Sequence, residues 1–482
     1  MFLPLLWSLK MSKELHELSI AEVSKLIKNR KVSPVELTKN CLSRIEQFNG
    51  KLNAFISIYE DEAIKQAKKA EREISKKNYR GPLHGVPIAI KDNIYFAKKI
   101  TTMGSKIHGK FVSDVDATVV TKLRDSGAVF LGKTNMHEYA LGATTDNPHY
   151  GTCRNPWHMG KIPGGSSGGS ASAVAAFLAY GALGTDTSGS IRVPAAACGL
   201  VGLKPTYGRV SKFGCFPEAW SLDHIGPLTR SVEDAAIILD AISGADSNDP
   251  TALNLRSTKT AKNINGNLKK ITIGIEEDFF FNFTDAEVEK LVRGTINRLK
   301  AAGAKIKKVK IPSLKDAFWA LTIIDTSETT AVHQPLMRDH AKDYGADVRF
   351  LIECGYFPTA VDYLQALQLR RIIQREVANV FDEVDVLLAP TLPSKTPSVG
   401  ELTSVVNGKT VDTIETCMHN VGPGNLLGLP SISMPCGLLE GIPVGLEIIG
   451  GPLQEQKVLN LAKGLELIDP LKGKVPTAYL ND

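Results

Sequence analysis

The stretch PGGSSGGSASAVAA, residues 163–176, gathers four glycines and three serines at positions 164–170, directly before a run of small apolar residues. A flexible linker of this composition has polar, mobile flanks. The glycines and serines instead run into SASAVAAFLAYGALG (170–184), which is small and apolar enough to be a buried helix, so we do not interpret the stretch as a linker. A phosphate-binding loop and a tight turn between two core elements remain as alternatives.

Apolar runs and helix signals alternate on both sides of this stretch. VPIAI (86–90) predicts a buried strand that ends at Lys91, and AVFL (128–131) begins another strand after a helix over TVVTKLRDS (118–126), which we expect Asp116 to cap. Further strands are predicted over ITIGI (271–275), DVLLAP (385–390), SISM (431–434) and GLEII (445–449), and helices are predicted to begin at Ser19, Ser33, Ser231 and Thr284. This alternation predicts an α/β fold with a mostly parallel or mixed sheet covered by helices.

Length and composition are those of a globular enzyme. The 482 residues correspond to about three domains of average size, although a large α/β enzyme can form one unit. The net charge of +6 is small for this length, and the basic run KIKKVK (305–310) is more typical of a solvent-facing strand edge than of a nucleic-acid patch. We therefore expect no nucleic-acid partner on composition alone.

The cysteines and the first residues favour a cytoplasmic location. The seven cysteines are scattered without a C-x-x-C pair, which indicates neither a disulfide framework nor a zinc site. MFLPLLWSLK (1–10) has no basic residue before its apolar run and is too short to span a bilayer. We expect no membrane association, and residues 1–10 are not taken as part of the native fold because Met11 offers a second start.

Two short motifs have alternative interpretations. GAVFLGKT (127–134) matches the P-loop pattern, which gives a nucleotide-binding hypothesis through Lys133 and Thr134, but its apolar middle favours a buried strand. GGSSG (164–168) matches the G-x-S-x-G nucleophile elbow of α/β hydrolases, which requires an apolar strand before it. The preceding CRNPWHMGKIP (153–163) contains two prolines and lacks strand character, so we do not favour the elbow.

A serine nucleophile with a lysine base is the chemistry that remains. A serine hydroxyl needs a base to take its proton, and an ordinary lysine is neutral at pH 7 only at a cost of roughly 4–5 kcal/mol. Burial of Lys91 at a strand end lowers that cost. In the second small-residue loop, GTDTSGSIR (184–192), Ser190 is a candidate nucleophile beside a nest of backbone N–H groups. An ordinary helix N-cap is the alternative role for Ser190.

The chain resembles the amidase signature family of serine hydrolases. The resemblance covers most of the chain, and the motifs that carry it are long and occur in order: GVPIAIKDN, NMHEYALGATTDNPHYGTCRNPW, IPGGSSGGSASAVAA, GTDTSGSIRVPAAACGLVGLKPTYGRV and LDHIGPLTRSVEDA. It implies one amidase domain over residues 1–482, a signature core over about 84–235, and a large twisted mixed β-sheet with helices on both faces.

The resemblance also implies roles for individual residues. Ser190 would be the acyl-forming nucleophile, Ser166 the bridging serine on a cis peptide, and Lys91 the base. The oxyanion hole would be formed by the backbone of Thr187, Ser188, Gly189 and Ser190. Supporting hydrogen bonds would come from Ser167, Asp186 and Arg192. The resemblance implies no metal and no organic cofactor. It implies a small-molecule amide as the substrate.

Two departures from the family pattern bear on what the resemblance implies, the first for the backbone at Ser188 and the second for the substrate. Many members have T-G-G-S where this chain has Thr187-Ser188-Gly189-Ser190. The glutaminase-type subunits of tRNA-dependent amidotransferases carry a paired-arginine stretch for glutamine recognition where this chain has DVRFLIECG (347–355), with Arg349 as its only basic residue. We therefore expect an amidase that acts alone or as a homodimer. The alternative is the glutaminase-type A subunit of a glutamyl-tRNA(Gln) amidotransferase, which would bring in partner subunits and a tRNA. Residues of about 320–425 are expected to contribute to the substrate pocket; within this region WALTIIDTSETT (319–330) and YFPTAVDYLQALQLRR (356–371) fit core helices equally well.

Overall fold

The structure is a computed structural model that describes residues 13–269, 271–468, 471 and 474–480. Its strands, in chain order, are β1 (Phe55–Ile58), β2 (Pro87–Lys91), β3 (Val129–Thr134), β4 (Asp146–Asn147), β5 (Gly151–Thr152), β6 (Gly181–Asp186), β7 (Val201–Lys204), β8 (His224–Thr229), β9 (Thr272–Glu276), β10 (Lys305–Val309), β11 (Val386–Pro390), β12 (Thr403–Val406), β13 (Lys409–Asp412), β14 (Ser431–Leu439) and β15 (Ile442–Gly450). The predicted strands are all present.

The α-helices lie between these strands. They are α1 (Ile20–Lys28), α2 (Pro34–Leu52), α3 (Glu60–Ser75), α4 (Thr118–Asp125), α5 (Gly168–Ala175), α6 (Arg192–Cys198), α7 (Val232–Ile242), α8 (Glu277–Phe280), α9 (Ala286–Ala301), α10 (Ala317–His340), α11 (Ala346–Cys354), α12 (Ala360–Phe381), α13 (Thr413–Met418), α14 (Gly422–Leu426) and α15 (Glu455–Leu467). The predicted α/β class is confirmed.

Within the described residues, eleven strands form one sheet in the order β1-β3-β2-β6-β8-β7-β14-β15-β11-β9-β10. Parallel pairs join β2 to β3 and β6, and β9 to β10 and β11, whereas the other neighbours are antiparallel. Every residue of β2, β6, β8 and β15 is buried. Because successive side chains point to opposite faces of a sheet, both faces are covered, and the predicted mixed sheet is confirmed.

The helix starts agree with the sequence in three places and differ in two. Ser19, Ser33 and Ser231 each accept a backbone hydrogen bond at the start of α1, α2 and α7. The prediction that Asp116 caps α4 is wrong, because Ala117 precedes the helix and the Asp116 carboxylate accepts from the Ala97 N–H and pairs with Arg124.

Thr284 does not cap α9 either. The residue before this helix is Asp285, and the Thr284 hydroxyl donates to the Phe280 carbonyl at 2.6 Å. Thr284 and Asp285 are adjacent candidate caps in the sequence. Here the Thr284 hydroxyl bonds to the preceding turn, so it does not cap the helix.

The basic run at 305–310 forms an edge of the main sheet, as predicted. β10 is the last strand of the order and pairs with β9 alone in the described sheet. Its Lys305, Lys307 and Lys308 are exposed, whereas Val309 is buried. Residues 1–10, which were set apart from the native fold, lie outside the described residues. Among those described, no helix has the length and apolar character needed to cross a bilayer.

The P-loop-like segment is a strand, as its apolar middle indicated. Val129–Thr134 pairs with β1 on one side and with β2 on the other, and all its residues are buried. Lys133 lies 3.3 Å from the Asp92 carboxylate and donates to the Ile94 carbonyl at 2.5 Å. The segment is therefore part of the core, and the nucleotide-binding hypothesis that rested on it is wrong.

Candidate active site

Lys91 is the last residue of β2, and its side chain is fully buried. Its Nζ donates to Ser166 Oγ at 2.6 Å and to Thr185 Oγ1 at 2.7 Å. β2 and β6 are parallel neighbours, so their carboxyl ends meet at one edge of the sheet, where Thr185 lies near Lys91. Burial lowers the pKa of Lys91 to about 8, which makes the neutral amine accessible near physiological pH.

The glycine-rich loop brings Ser166 to this lysine. The Gly165–Ser166 peptide bond is cis, and Ser166 is fully buried. A Cβ on Gly165 would lie 2.6 Å from the Ala143 carbonyl carbon, and one on Gly169 would lie 2.3 Å from the Asn135 carbonyl oxygen. Glycine is needed at both positions because another backbone segment passes too close for any side chain.

Ser167 joins the two small-residue loops. Its hydroxyl donates to the Thr185 carbonyl at 3.1 Å and accepts from the Thr185 N–H at 3.2 Å, and its own N–H donates to the Ser190 carbonyl at 3.3 Å. Ser190 is therefore held beside the residue that follows Ser166. No hydrogen bond joins the Ser166 and Ser190 hydroxyl groups among the described residues.

Asp186 and Arg192 fix the shape of the loop that carries Ser190. The Asp186 carboxylate accepts from the N–H groups of Gly189 and Ile191 at 2.9 and 3.1 Å, and from the Arg192 guanidinium at 2.9 and 3.1 Å. Arg192 also donates to Glu447 at 2.5 Å. This fully buried network holds the pKa of Asp186 well below its usual range, through the charge of Arg192 against the opposing effect of burial.

One backbone N–H group of the implied oxyanion hole, in the loop that carries Ser190, is already hydrogen-bonded within the protein. The Gly189 N–H donates to Asp186 Oδ1 at 2.9 Å, so it is already used, although the family resemblance implies a place for Gly189 in the oxyanion hole. The φ of Gly189 is +119°, and a Cβ there would lie 2.3 Å from Val421. Ser188, which stands where many family members have glycine, donates its hydroxyl to Asp325 Oδ2 at 2.7 Å.

A cavity of about 440 Å³ opens over Ser190. Its apolar wall comes from the loop at 140–143 and from helices α10, α11 and α13: Ala140, Leu141, Ala143, Phe318, Phe350, Leu351, Ile414 and Met418. Of the two stretches expected near the substrate, 319–330 contributes Thr322, Asp325, Thr326 and Thr329, whereas none of the lining residues comes from 356–371. Ser188 and Ser190 are thus the predicted site residues that line a space large enough for a small molecule.

Sequence reasoning missed three residues of this site. Thr185 was missed because residues 170–184 were expected to form one buried helix; this expectation is wrong, since α5 ends at Ala175 and the small apolar residues from Gly181 form strand β6, in which Leu183 pairs with Ile90. Asp325 lies in the stretch 319–330 named in the sequence analysis, but no motif singles it out, and Glu218 reaches the cavity from a loop before β8 that carries no signal.

Comparison with known proteins gives a consistent result. The family model described as Amidase matches residues 36–459. The chain is 38% identical over 479 residues to the A subunit of the glutamyl-tRNA(Gln) amidotransferase of Carboxydothermus hydrogenoformans, covering 94% of this chain and 97% of that protein.

Two solved structures are also similar. One belongs to a vestigial protein complex that reveals the evolutionary origins of an s-triazine catabolic enzyme, with a TM-score of 0.90, 31% identity, and 95% of this chain and 99% of that chain covered. The other is a peptide amidase in complex with the competitive inhibitor chymostatin, with a TM-score of 0.83, 31% identity and the same shares of the two chains covered.

Proposed function

Since the chain belongs to the amidase family, we propose that it hydrolyses a carboxamide C–N bond through an acyl-enzyme on Ser190, with Ser166 and Lys91 moving the proton. The observation that carries this proposal is the 2.6 Å contact between Lys91 Nζ and Ser166 Oγ, buried beneath a cavity that Ser190 lines.

The proton path begins at the neutral amine of Lys91. Its lone pair takes the proton of the Ser166 hydroxyl as Ser166 takes the proton of Ser190, and Ser190 Oγ forms a bond to the amide carbon. Hydrogen bonds of this kind often tighten only in the complex with substrate, which accommodates the missing contact between the two serines. The lowered pKa of Lys91 supports its role as the base.

The reaction then proceeds in two steps. The proton returns through Ser166 to the nitrogen of the substrate, the C–N bond breaks, and ammonia or an amine leaves. Water, deprotonated along the same path, attacks the acyl-enzyme, and Ser190 recovers its proton as the acid departs. The backbone N–H groups of Thr187, Ser188 and Ser190 stabilise the oxyanion in this proposal, whereas the Gly189 N–H stays with Asp186. Asp186, Arg192 and Ser167 position the loop.

We further propose that the whole chain forms one amidase domain. The main sheet takes strands from Phe55 to Gly450, and the family match runs from residue 36 to 459. Both observations support a single unit with the active site at its centre.

The glutaminase-type subunit of an amidotransferase is the second candidate function, favoured by the 38% identity to such a protein. Recognition of glutamine needs a cation for its carboxylate. In this chain the Arg349 guanidinium donates to Glu353 at 2.7 Å, and the residues of α11 that line the cavity are Asp347, Phe350 and Leu351. These contacts favour an amidase for other amides.

The test is ammonia release by the purified chain from a panel of aliphatic, aromatic and amino-acid amides that includes glutamine. We expect activity on amides other than glutamine that is lost in Ser190→Ala and Lys91→Ala, by roughly 10²–10⁴-fold or more. Ser172→Ala is the matched control, because this buried serine of α5 donates to the Arg154 carbonyl, outside the cavity.

Two results would argue against the proposal. Activity that survives in Ser190→Ala would overturn the mechanism. Activity on glutamine alone, or only after amidotransferase partner subunits and tRNA are added, would favour the second candidate.

A further inference from the structure

Two buried carboxyl groups stand in the wall of the cavity next to Ser190. Asp325 comes from α10 and Glu218 from the loop before β8, and they are 8% and 7% exposed. The Thr329 hydroxyl lies 3.4 Å from Asp325 Oδ1 and 3.3 Å from the Glu218 carbonyl oxygen, and the Ser188 hydroxyl donates to Asp325 Oδ2 at 2.7 Å. The two residues therefore belong to one packed unit that is joined to the loop of Ser190.

Glu218 has an oxygen with no partner. Its Oε2 is buried and makes no hydrogen bond within the described part of the chain. Leaving a buried polar atom unpaired costs free energy, and the cost is larger for a charged group. Glu218 also lines a second, smaller cavity of about 100 Å³, so it stands at the boundary between two open spaces. A ligand that donates a hydrogen bond to this oxygen would remove the cost.

The surroundings of the pair are acidic. Asp223 and Glu328 lie behind them: Asp223 accepts from the Glu218 N–H at 3.1 Å, and Glu328 accepts from the Ser221 N–H at 2.9 Å. Burial first, and neighbouring carboxylates second, raise the pKa of Glu218 well above its usual value. Burial raises the pKa of Asp325 to about 7 against the hydrogen bond from Ser188, and nearby carboxylates add to the rise. The charge of Lys91 lowers the pKa of Glu218 and ranks behind burial and the two neighbouring carboxylates; Lys212 and His224 line the smaller cavity beside Glu218.

The remaining charged residues of the cavity have the same sign. They are Asp347, Asp412 and Glu415, and no lysine, arginine or histidine lines the cavity in the described residues. A cleft lined by one sign of charge concentrates ligands of the opposite sign. No group of three histidine, cysteine or acidic side chains in those residues is arranged to hold a metal ion, which favours an organic cation as the ligand.

We propose that Glu218 and Asp325 form a subsite for a cationic nitrogen group of the substrate, so that the enzyme prefers amides that carry an ammonium group. This inference rests on the proposed function. Ser188, which donates to Asp325, is two residues from Ser190, and two residues span at most about 7 Å. The ammonium group and the reacting carbonyl are therefore separated by a short chain of bonds.

The first experiment measures kcat and KM for ω-amino amides, from glycinamide to ε-aminocaproamide. Each is paired with the neutral amide in which a methyl group replaces the ammonium group, and succinamate serves as an anionic member. We expect kcat/KM to be higher for the cationic member of at least one pair, and succinamate to be the poorest substrate. For that pair, Glu218→Gln and Asp325→Asn should each lower the ratio of kcat/KM for the cation to kcat/KM for the neutral partner by roughly 10²-fold.

Glu415→Gln is the matched control, because Glu415 is a carboxylate of the same cavity outside the buried unit. A change in the cation preference as large as that of Glu218→Gln would overturn the subsite in favour of a general effect of the negative cavity. Equal losses for the cationic and neutral amides in Glu218→Gln and Asp325→Asn would assign these residues a structural role and would also overturn it.

Binding separates this inference from the proposed function. Calorimetry with the same amide pairs on Ser190→Ala measures recognition without turnover. Tighter binding of the ammonium member, lost in Ser190→Ala/Glu218→Gln, supports the subsite even if Ser190 proves not to be the nucleophile. The absence of any preference for the cation in both turnover and binding overturns the subsite, even if the amides are hydrolysed through Ser190.

Discussion

Lys91 Nζ lies 2.7 Å from Thr185 Oγ1, almost as close as it lies to Ser166. Thr185 also accepts from the Asn93 side chain at 3.1 Å. The lysine amine is therefore held between two hydroxyl groups, one in the proposed proton path and one outside it. Thr185, which lies outside this path, therefore orients the Lys91 amine toward Ser166.

Thr185→Val should lower kcat more than it raises KM. The substitution keeps the shape of the side chain but removes one of the two hydrogen bonds that orient Lys91, and misplacement of a catalytic group costs about 10- to 100-fold in rate. Steady-state kinetics on an amide substrate measures the two constants. Thr185→Ser, which keeps the hydroxyl, should stay close to wild type; an equal loss in both variants would contradict the positioning role.

The rate of amide hydrolysis should rise with pH. Because burial lowers the pKa of Lys91 to about 8, most Lys91 side chains are protonated at pH 6, and protonated lysine cannot accept the proton of Ser166. We expect kcat/KM for a neutral amide to increase about tenfold per pH unit below pH 8 and to level off above it. A profile that stays flat between pH 6 and pH 9 would show that Lys91 is not the titrating base.

Arg192→Met should destabilise the fold. Arg192 is fully buried between Asp186 and Glu447, and removing one member of a buried ion pair costs about 3–5 kcal/mol. Urea denaturation at pH 7 measures the free energy of unfolding. Arg349→Met removes an exposed pair with Glu353 and should change that free energy by less than about 1 kcal/mol.

The effect of Arg192→Met should shrink in acid. Arg192 holds the pKa of Asp186 well below its usual range, so this stabilisation is present above the unfolded pKa of Asp186 and is lost as the pH falls through the folded one. In the variant, the carboxyl takes up a proton more readily. A difference in unfolding free energy that grows toward pH 4 would contradict this account.

Gly169→Ala should destabilise the protein and lower its activity. The added Cβ would lie 2.3 Å from the Asn135 carbonyl oxygen and 2.6 Å from that of Ala54, so backbone must move at the loop that carries Ser166. Gly294→Ala is the matched control: its Cβ would meet only the end of Arg298 at 3.8 Å in helix α9. We expect Gly294→Ala to raise the free energy of unfolding by about 0.5–1 kcal/mol, as measured by thermal unfolding. A stabilised Gly169→Ala would be the contrary result.

The sequence predicts several strands from short runs rich in apolar residues, but it does not predict β8. β8 reads HIGPLT, with Gly226 and Pro227 inside a fully buried strand. Both residues are uncommon in strand interiors. β8 forms because β6 and β7 pair with it on either side, and pairing over such distances leaves no local pattern in the segment itself.

Some residues of the candidate site could also be predicted from the sequence, and others could not. Lys91 could be placed from the end of an apolar run, and Ser166 and Ser190 from small-residue loops joined by the family motifs. Glu218 and Asp325 are separated from Ser190 by long segments, and neither lies in a motif. Their position depends on how α10 packs against the loop before β8, which is a property of the tertiary structure alone.

The exposed lysines of β10 have a consequence for the protein in concentrated solution. A strand with an open edge presents unpaired backbone groups to any other strand of similar length, and charged side chains on that strand oppose such stacking. Lys305, Lys307 and Lys308 are exposed on β10, and Lys307 and Lys308 pair with Glu383 and Glu277. Two molecules that approach edge to edge must desolvate these charged side chains, which discourages intermolecular β-sheet growth and fibril formation from this side of the molecule.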